Sequence, residues 1–416
     1  MKKVFRKIHL WLSVPVGIVI TLICFSGAML VYEKEITEAL RHDLYFVKEV
    51  KAERIPLNEL LETVEETLPD SVSITGVTVF PDSTRAYQVS LSKPRRASVY
   101  VDQYTGEVKG RNERLPFFDT MMRLHRWLLG QSSVPDGIAL GKLLTGISTL
   151  FMVFILLTGI LMWLTNRNKP LKKSLVIHLR SGWPRFWHDL HVAGGIYATI
   201  FLLALALTGL TWSFSWYRTG FYACFGVESS GGGSHGGQHG TEQSDHNRGG
   251  SGRGERGGRG EHGGREGHGE HGGYHGHGDG GYHDHGGDSG FFGFGGHRRS
   301  PYRHWQEVLD EVAKKNPGYR QITMKSESAE VIPAGRASLR AADTYSFNRR
   351  SGEITDVKLY SSQGKDAKVR GAVYTVHTGS WGGTITRLLT FLSALIGCTL
   401  PLTGYYLWIR RLVRKK

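Results

Sequence analysis

Cysteine is scarce, with three residues in a chain of 416. Cys24 and Cys398 fall inside apolar runs and Cys224 just beyond one. No C-x-x-C or zinc spacing exists, and a disulfide framework is excluded by the count. No G-x-G-x-x-G follows a strand pattern, so a dinucleotide-binding unit of that type is absent from the chain. Charge is missing from four stretches: Leu10–Tyr32, Leu143–Leu164, Leu190–Tyr217 and Leu388–Ile409 contain no Lys, Arg, Asp or Glu, and His191 is their only histidine. Each is long enough to cross a bilayer, which takes about 20 apolar residues. No A-x-A site follows the first, and its apolar core exceeds the roughly 7–15 residues of a signal-peptide core. It reads as a retained anchor.

What is present orients these spans. Lys2, Lys3, Arg6 and Lys7 precede the first; Arg167, Lys169, Lys172, Lys173, Arg180 and Arg185 lie between the second and third; RRLVRKK ends the chain. With four crossings all three basic flanks share one side, and the positive-inside rule makes that side the cytoplasm. Both termini are then cytoplasmic, and residues of about 33–141 and 218–385 lie outside. The net charge of +15 follows from a basic bundle at an anionic membrane surface and requires no nucleic-acid partner.

The chain repeats itself. IHLWLSVPVGIVITLICFSG (8–27) matches LHVAGGIYATIFLLALALTG (190–209), each with a histidine eighteen positions before a glycine. LLTGILMWL (156–164) matches PLTGYYLWI (401–409), and a histidine precedes each in MRLHRWLLG and YTVHTGSWGG. Between the spans, LNELLETVEETL, SITGVTVF, AYQVSL and ASVYVDQYTGEV are echoed by HWQEVLDEVAKK, RQITMKSE and TYSFNRRSGEITDV. These read as an amphipathic helix followed by strands, with YTGEV and RSGEI as hairpin turns. The expected architecture is a mainly α membrane protein, a four-helix bundle with outer α+β modules in two parallel repeats. Its divisions are span one (1–32), the first module (33–124), an outer border segment with span two (125–165), a cytoplasmic loop (166–187), span three (188–217), an outer segment with a Gly/His-rich insertion (218–300), the second module (301–376), and a border segment with span four and basic tail (377–416).

This topology sorts the histidines. His9 and His191 open spans on the inner side, and His125 and His377 precede spans on the outer side. Two symmetry-related pairs result, His9 with His191 and His125 with His377, at separate depths. An imidazole facing a bundle near the bilayer needs a partner and is a functional candidate; alternatively it snorkels or caps a helix. Paired imidazoles on facing helices are a way to hold b-type haem, which would make these four the axial ligands of two haem b groups. Arg6, Lys7 and Arg185 inside, and Arg123 and Arg126 outside, are candidates for propionate contacts or ordinary flanking charges. Gly27, Gly159, Gly209 and Gly404 sit in S/T-G steps that admit either a close helix or a flat macrocycle. His188, one turn before His191, is expected to be a nearby contact and not the ligand.

The motifs RKIHLWLSVPVG, LHRWLLG, LTGILMW, WHDLHVAGG and LTGYYLWIRR resemble the PepSY-associated transmembrane family, and the YTGEV and RSGEI modules resemble PepSY domains. The resemblance covers the chain outside residues 228–300. It implies a bacterial inner-membrane protein like the ferric-siderophore reductases of the ferrioxamine reductase type, with two b haems in four helices and His9, His125, His191 and His377 as ligands. Some relatives carry a fused flavin reductase; here the chain stops at Lys416, so the expected electron donor is a separate cytoplasmic partner or quinol. The expected partners are ferric siderophore and the lipid bilayer. Trp127, Trp381, Phe117 and Phe118 are candidates to line the acceptor's docking surface, or to serve as interfacial belt residues.

Residues 228–300 hold eleven of the nineteen histidines among Gly, Arg, Glu, Asp and Ser. Too apolar-poor to bury a core, this segment reads as a solvated insertion or as a loose collector of metal ions. Two competing functions therefore stand beside the reductase: a non-enzymatic metal-handling membrane protein, and a peptidase-binding or inhibitory PepSY unit.

Overall fold

The computed structural model describes residues 2–94, 97–131, 139–165, 174–178, 180–227, 300–336, 338 and 340–414. The His-rich run, and the basic residues Arg167, Lys169, Lys172 and Lys173, lie outside the described residues.

Four long apolar segments form the bundle: α1 (Lys2–Val31), α6 (Leu140–Leu164), α7 (Trp183–Asp189) continuing through a π-helical turn (Leu190–Gly194) into α8 (Gly195–Ser213), and α12 (Gly383–Val413). The shortest candidate span has 25 residues, a rise of about 37 Å against a hydrocarbon core of about 30 Å. Outward-facing Ile18, Phe154, Ile200 and Ile385 are exposed, as side chains bathed in lipid would be. Exposed Trp11 and Trp183 near one end, and Trp216 and Trp381 near the other, suit two interfacial belts.

Packing runs α1 to α6 to α8 to α12 and back to α1, which sets α1 and α8 on a diagonal. The middle is filled by Val16, Ile20, Cys24, Met152, Leu156, Ala198 and Leu202. The approach of α12 to α1 is close. The Tyr405 hydroxyl donates to the Val14 carbonyl at 2.6 Å, and a Cβ at Gly17 would lie 2.5 Å from its oxygen. Span three is shorter at its far end than its apolar run. Phe214 adopts an extended conformation (φ −128°, ψ 128°) and packs its ring against Gly146, so the chain turns and residues 215–217 begin a separate helix, α9 (Ser215–Ala223).

Beyond one end of the bundle lie α2 (Glu33–Leu40), α3 (His42–Tyr45), α4 (Leu57–Glu66), β1 (Ile74–Val79), β2 (Tyr87–Leu91), β3 (Ser98–Val101), β4 (Val108–Arg111) and α5 (Pro116–Trp127). The second half supplies α10 (Trp305–Lys315), β5 (Gln321–Lys325), β6 (Ser328–Ile332), β7 (Asp343–Phe347), β8 (Ile354–Lys358) and α11 (Lys365–His377). The two modules are not separate bodies. Their strands form one antiparallel sheet ordered β4-β3-β2-β1-β5-β6-β7-β8, joined where Val77 pairs with Met324 and the Thr78 and Thr323 hydroxyls bond at 2.9 Å. Leu57, Leu60, Leu61 and Val64 of α4, and Trp305, Val308, Leu309 and Val312 of α10, each follow the i, i+3, i+4, i+7 stripe of a one-faced helix. Both stripes are buried against the sheet in one shared core. Gly106 and Gly352 turn the β3–β4 and β7–β8 hairpins, both at φ 74°, a conformation that favours glycine.

α2 fastens this layer to the bundle. Arg114 grips Glu33 through Nε at 2.5 Å and Nη2 at 2.7 Å. Arg387 at the start of α12 bonds both carboxylate oxygens of Glu35 and the carbonyl of Val31.

Candidate functional site

The four border histidines meet as two pairs. His9 on α1 and His191 in the π-helical turn face each other at a centroid separation of 6.4 Å, their planes 87° apart. His125 near the end of α5 and His377 at the end of α11 stand 6.1 Å apart at 52°. The second pair does not come from the spans themselves. It rides on two short helices, α5 and α11, that dock against α1 and α8.

Each imidazole is held in the same way by the helix it touches. Nδ1 of His9 lies 3.1 Å from the Ile155 carbonyl and 3.1 Å from the Thr158 hydroxyl. His191 meets the Leu400 carbonyl at 3.1 Å and Thr403 at 2.8 Å. His377 meets the Leu205 carbonyl at 3.1 Å and Thr208 at 3.1 Å. His125 meets the Ile23 carbonyl at 2.9 Å and Ser26 at 3.4 Å. A carbonyl oxygen only accepts, so Nδ1 carries the proton in all four rings and Nε2 keeps its lone pair. The hydroxyls can also accept, because each donates its own proton to a backbone carbonyl one turn back: Thr158 to Phe154, Thr208 to Ala204, Ser26 to Leu22 and Thr403 to Leu400. Among the described residues no hydrogen bond engages Nε2 of any of the four.

One residue past each hydroxyl is a glycine, and its missing side chain makes room for the ring. A Cβ would lie 2.9 Å from His125 Cε1 at Gly27, 3.1 Å from His377 Cε1 at Gly209, 3.4 Å from His191 Cε1 at Gly404 and 3.7 Å from His9 Cε1 at Gly159. The S/T-G steps were expected to admit a helix or a macrocycle; they receive an imidazole. The cradle is a carbonyl, a hydroxyl three residues on and a glycine one further, in ICFSG, ILLTG, LALTG and LPLTG. Sequence reasoning saw the last two members and missed what they hold, because the ring arrives from a different helix.

The pairs are well separated. From His9 to Ile23, the carbonyl that holds His125, α1 advances fourteen residues, a rise of about 21 Å, and the apolar middle of the bundle fills the interval. The π-helical turn separates the roles of His188 and His191. One α-turn apart they would share a face, but the widened turn breaks that phase. His188 instead points its Nδ1 at Asp189, 3.3 Å away, with its side chain half exposed. Asp189 also accepts from His178 at 2.8 Å, and Arg185 lies 3.7 Å from it, which occupies the arginine expected to meet a propionate. α5 ends abruptly after His125: Leu128 (φ 48°) and Leu129 (φ 65°) both adopt the left-handed region, at a cost of about 1 kcal/mol or more each. Strain of this kind concentrates at functional sites.

The remaining residues are dispersed. Arg6 is exposed, and Arg123 is exposed with Nη2 3.4 Å from the Leu129 carbonyl. Arg126 is half-buried, stacked 5.0 Å over Trp127, and has no carboxylate within ion-pair reach among the described residues. Burial pulls its pKa down. Phe117 and Trp381 are exposed, but Phe118 is 2% exposed. It packs inward and cannot line a docking surface, a correction forced by the face of α5 it occupies. Among the described residues no three of His, Cys, Asp and Glu converge on one point.

A family model described as the PepSY-associated TM region matches residues 6–411. No curated protein matches the chain.

Proposed function

The chain belongs to the PepSY-associated TM family, and on that footing we propose that it is a di-haem b oxidoreductase of the bacterial inner membrane. It would pass electrons from a cytoplasmic or quinol donor to a ferric siderophore on the periplasmic side and release Fe(II) for uptake. The single observation that carries this reading is the spacing and protonation of the two imidazole pairs. Two imidazoles that held one metal ion between them through bonds of about 2.0 Å would have ring centres roughly 6 Å apart. The observed 6.4 and 6.1 Å fit that value. Two imidazoles alone make a poor metal site, since zinc would demand four protein ligands or three with a water. A porphyrin would supply the donors that the chain's two imidazoles leave missing.

His9 and His191 would hold one haem, and His125 and His377 the other. When bound, haem iron supplies one-electron chemistry at a potential tuned by its axial ligands and their surroundings. The chain's own part is to pre-set those ligands. Each Nδ1–H is spent on a carbonyl and a hydroxyl, which fixes ring orientation and makes Nε2 more basic. Val16, Ile20, Met152, Leu156, Ala198 and Leu202 keep water from the space between the pairs. Arg126 places a positive charge at the sheet end, beside a site that would otherwise be apolar.

The basic flanks of the sequence support termini in the cytoplasm and the sheet in the periplasm. The matching cradles and the palindromic strand order support two parallel copies of a helix, α+β module and helix. Oxygen donors of a siderophore hold Fe³⁺ tightly and the less charged Fe²⁺ weakly, so one-electron reduction loosens the ion and leaves the chelator whole. The test is to reduce the purified protein with dithionite, remove the excess and add a ferric siderophore together with an Fe(II)-specific chromophore. Oxidation of the protein with one Fe(II) formed per electron supports the reading. A reduced spectrum that persists, with no Fe(II), rejects the acceptor.

A further inference from the structure

The four cradles agree in three positions and differ in a fourth. Each sets a carbonyl, a hydroxyl and a glycine at i, i+3 and i+4, so the residue at i+7 completes one helical stripe. That residue is Leu30, Met162 and Leu407 in three cradles, and Trp212 in the one that holds His377. The Trp212 ring meets the His377 ring edge on, with centroids 5.0 Å apart and planes at 61°. Leu30, Met162 and Leu407 are half-buried, whereas Trp212 is 37% exposed.

Trp212 stands in the last turn of α8, one residue before the helix ends at Ser213. Its depth is therefore that of the His125–His377 pair. Packing alone does not call for tryptophan here, because leucine or methionine fills the equivalent place in the other three cradles. An interfacial belt residue needs an exposed ring but no contact with a ligand's imidazole; Trp212 has both. An indole joins an apolar face to one N–H that seeks an acceptor. Among the described residues that N–H meets none.

We propose that Trp212 is the exit contact for the electron: its ring bridges the His377 imidazole to the surface, and a ferric chelate with oxygen donors docks against it. The inference rests on the reading above and adds the place where the acceptor is met. Electron transfer slows steeply as the gap between donor and acceptor widens. A ring packed on the imidazole and open at the surface shortens the gap that a docked chelate leaves. The oxygens that hold Fe³⁺ can accept from the indole N–H, and the apolar part of the chelator can lie on the indole face. One electron leaves the site held by His125 and His377, and one Fe(III) of the chelate becomes Fe(II). The indole itself is neither oxidised nor reduced, and no proton moves.

The full-length protein in detergent is reduced with dithionite, freed of excess, and mixed in a stopped-flow cell with rising concentrations of tris(acetohydroxamato)iron(III). The limiting rate of oxidation reads transfer within the complex, and the half-saturating concentration reads docking. Trp212→Leu, which installs the residue found at position 30, should keep the wild-type haem content and reduced spectrum. Its limiting rate should fall about tenfold or more. Trp212→Phe keeps a ring but no N–H; it should retain most of the limiting rate and need more chelate for half-saturation. Trp216→Leu, which removes a belt tryptophan four residues on, should match wild type in both. A second arm needs no electron: binding of redox-inert tris(acetohydroxamato)gallium(III), measured by equilibrium dialysis, should weaken in Trp212→Leu and not in Trp216→Leu. An unchanged limiting rate in Trp212→Leu overturns the proposal, as does an equal loss in Trp216→Leu. Loss of haem from both Trp212→Leu and Trp212→Phe also overturns it, because the tryptophan is then a packing residue. A wild-type protein without haem sinks the redox reading instead, and the gallium arm then decides the docking site: equal binding by wild type and Trp212→Leu overturns that as well.

Discussion

At the scale of single residues the cradles make graded predictions. Alanine at Gly27 would bring a Cβ to 2.9 Å of His125, whereas at Gly159 it would sit 3.7 Å from His9, an ordinary contact. Haem retention, measured as pyridine haemochrome per chain, should fall in the order Gly159→Ala, Gly404→Ala, Gly209→Ala, Gly27→Ala, the first near wild type and the last short of one haem. An equal response at all four positions would refute the cradle. Thr403→Val removes a hydroxyl 2.8 Å from His191 Nδ1 and should weaken haem binding at that site about tenfold or more, the usual scale for losing a ligand's outer partner. Titration of the apoprotein with haemin checks it. His191→Ala should lose one haem while His188→Ala keeps both, because His188 is turned toward Asp189. The histidines were legible in the sequence because each stood where charge gave way to an apolar run. The hydroxyls Ser26, Thr158, Thr208 and Thr403 were not, since serine and threonine are common in membrane helices and only tertiary contact reveals which ring they meet.

At the scale of elements, the α12–α2 clamp carries a pH signature. The Arg387 guanidinium, bonded to Glu35, holds that carboxyl below the ordinary carboxylate range. A folded pKa below the unfolded value of about 4.3 means the contribution is fully present above that pH and fades as pH falls through the folded value. The Glu35 side chain is half exposed, so the pair contributes less than about 1 kcal/mol. Glu35→Gln should lower the thermal midpoint slightly at pH 7 and by less as the pH falls below about 4, as followed by circular dichroism in detergent. A difference that grows on acidification would contradict the ion pair. Helix and strand positions were largely legible here, because the 57–64 and 305–312 stripes and the two glycine hairpins carry their own periodicity and turn chemistry. The π-helical turn at Leu190–Gly194 was not, since no local residue pattern marks it, and α5 and α11 were divided between the outer modules and the border segments because nothing in their composition announces a separate docking helix.

At the scale of the molecule, two half-chains share one sheet and one bundle, and the two imidazole pairs lie along the diagonal between α1 and α8. Pairing of β1 with β5 was hidden in the sequence: contacts between residues some 245 positions apart leave no local trace. Deleting residues 231–297, the histidine-rich run, should leave both haems in place, because all four proposed ligands and their cradles lie elsewhere in the chain. The most direct measurement is the haem stoichiometry and ferric electron paramagnetic resonance spectrum of the detergent-purified protein, beside His9→Ala and His125→Ala. The account expects two haem b per chain and two distinct low-spin signals, matching imidazole planes 87° and 52° apart, with each variant abolishing a different one. A protein without haem, or one in which a single variant removes both signals or neither does, would contradict it.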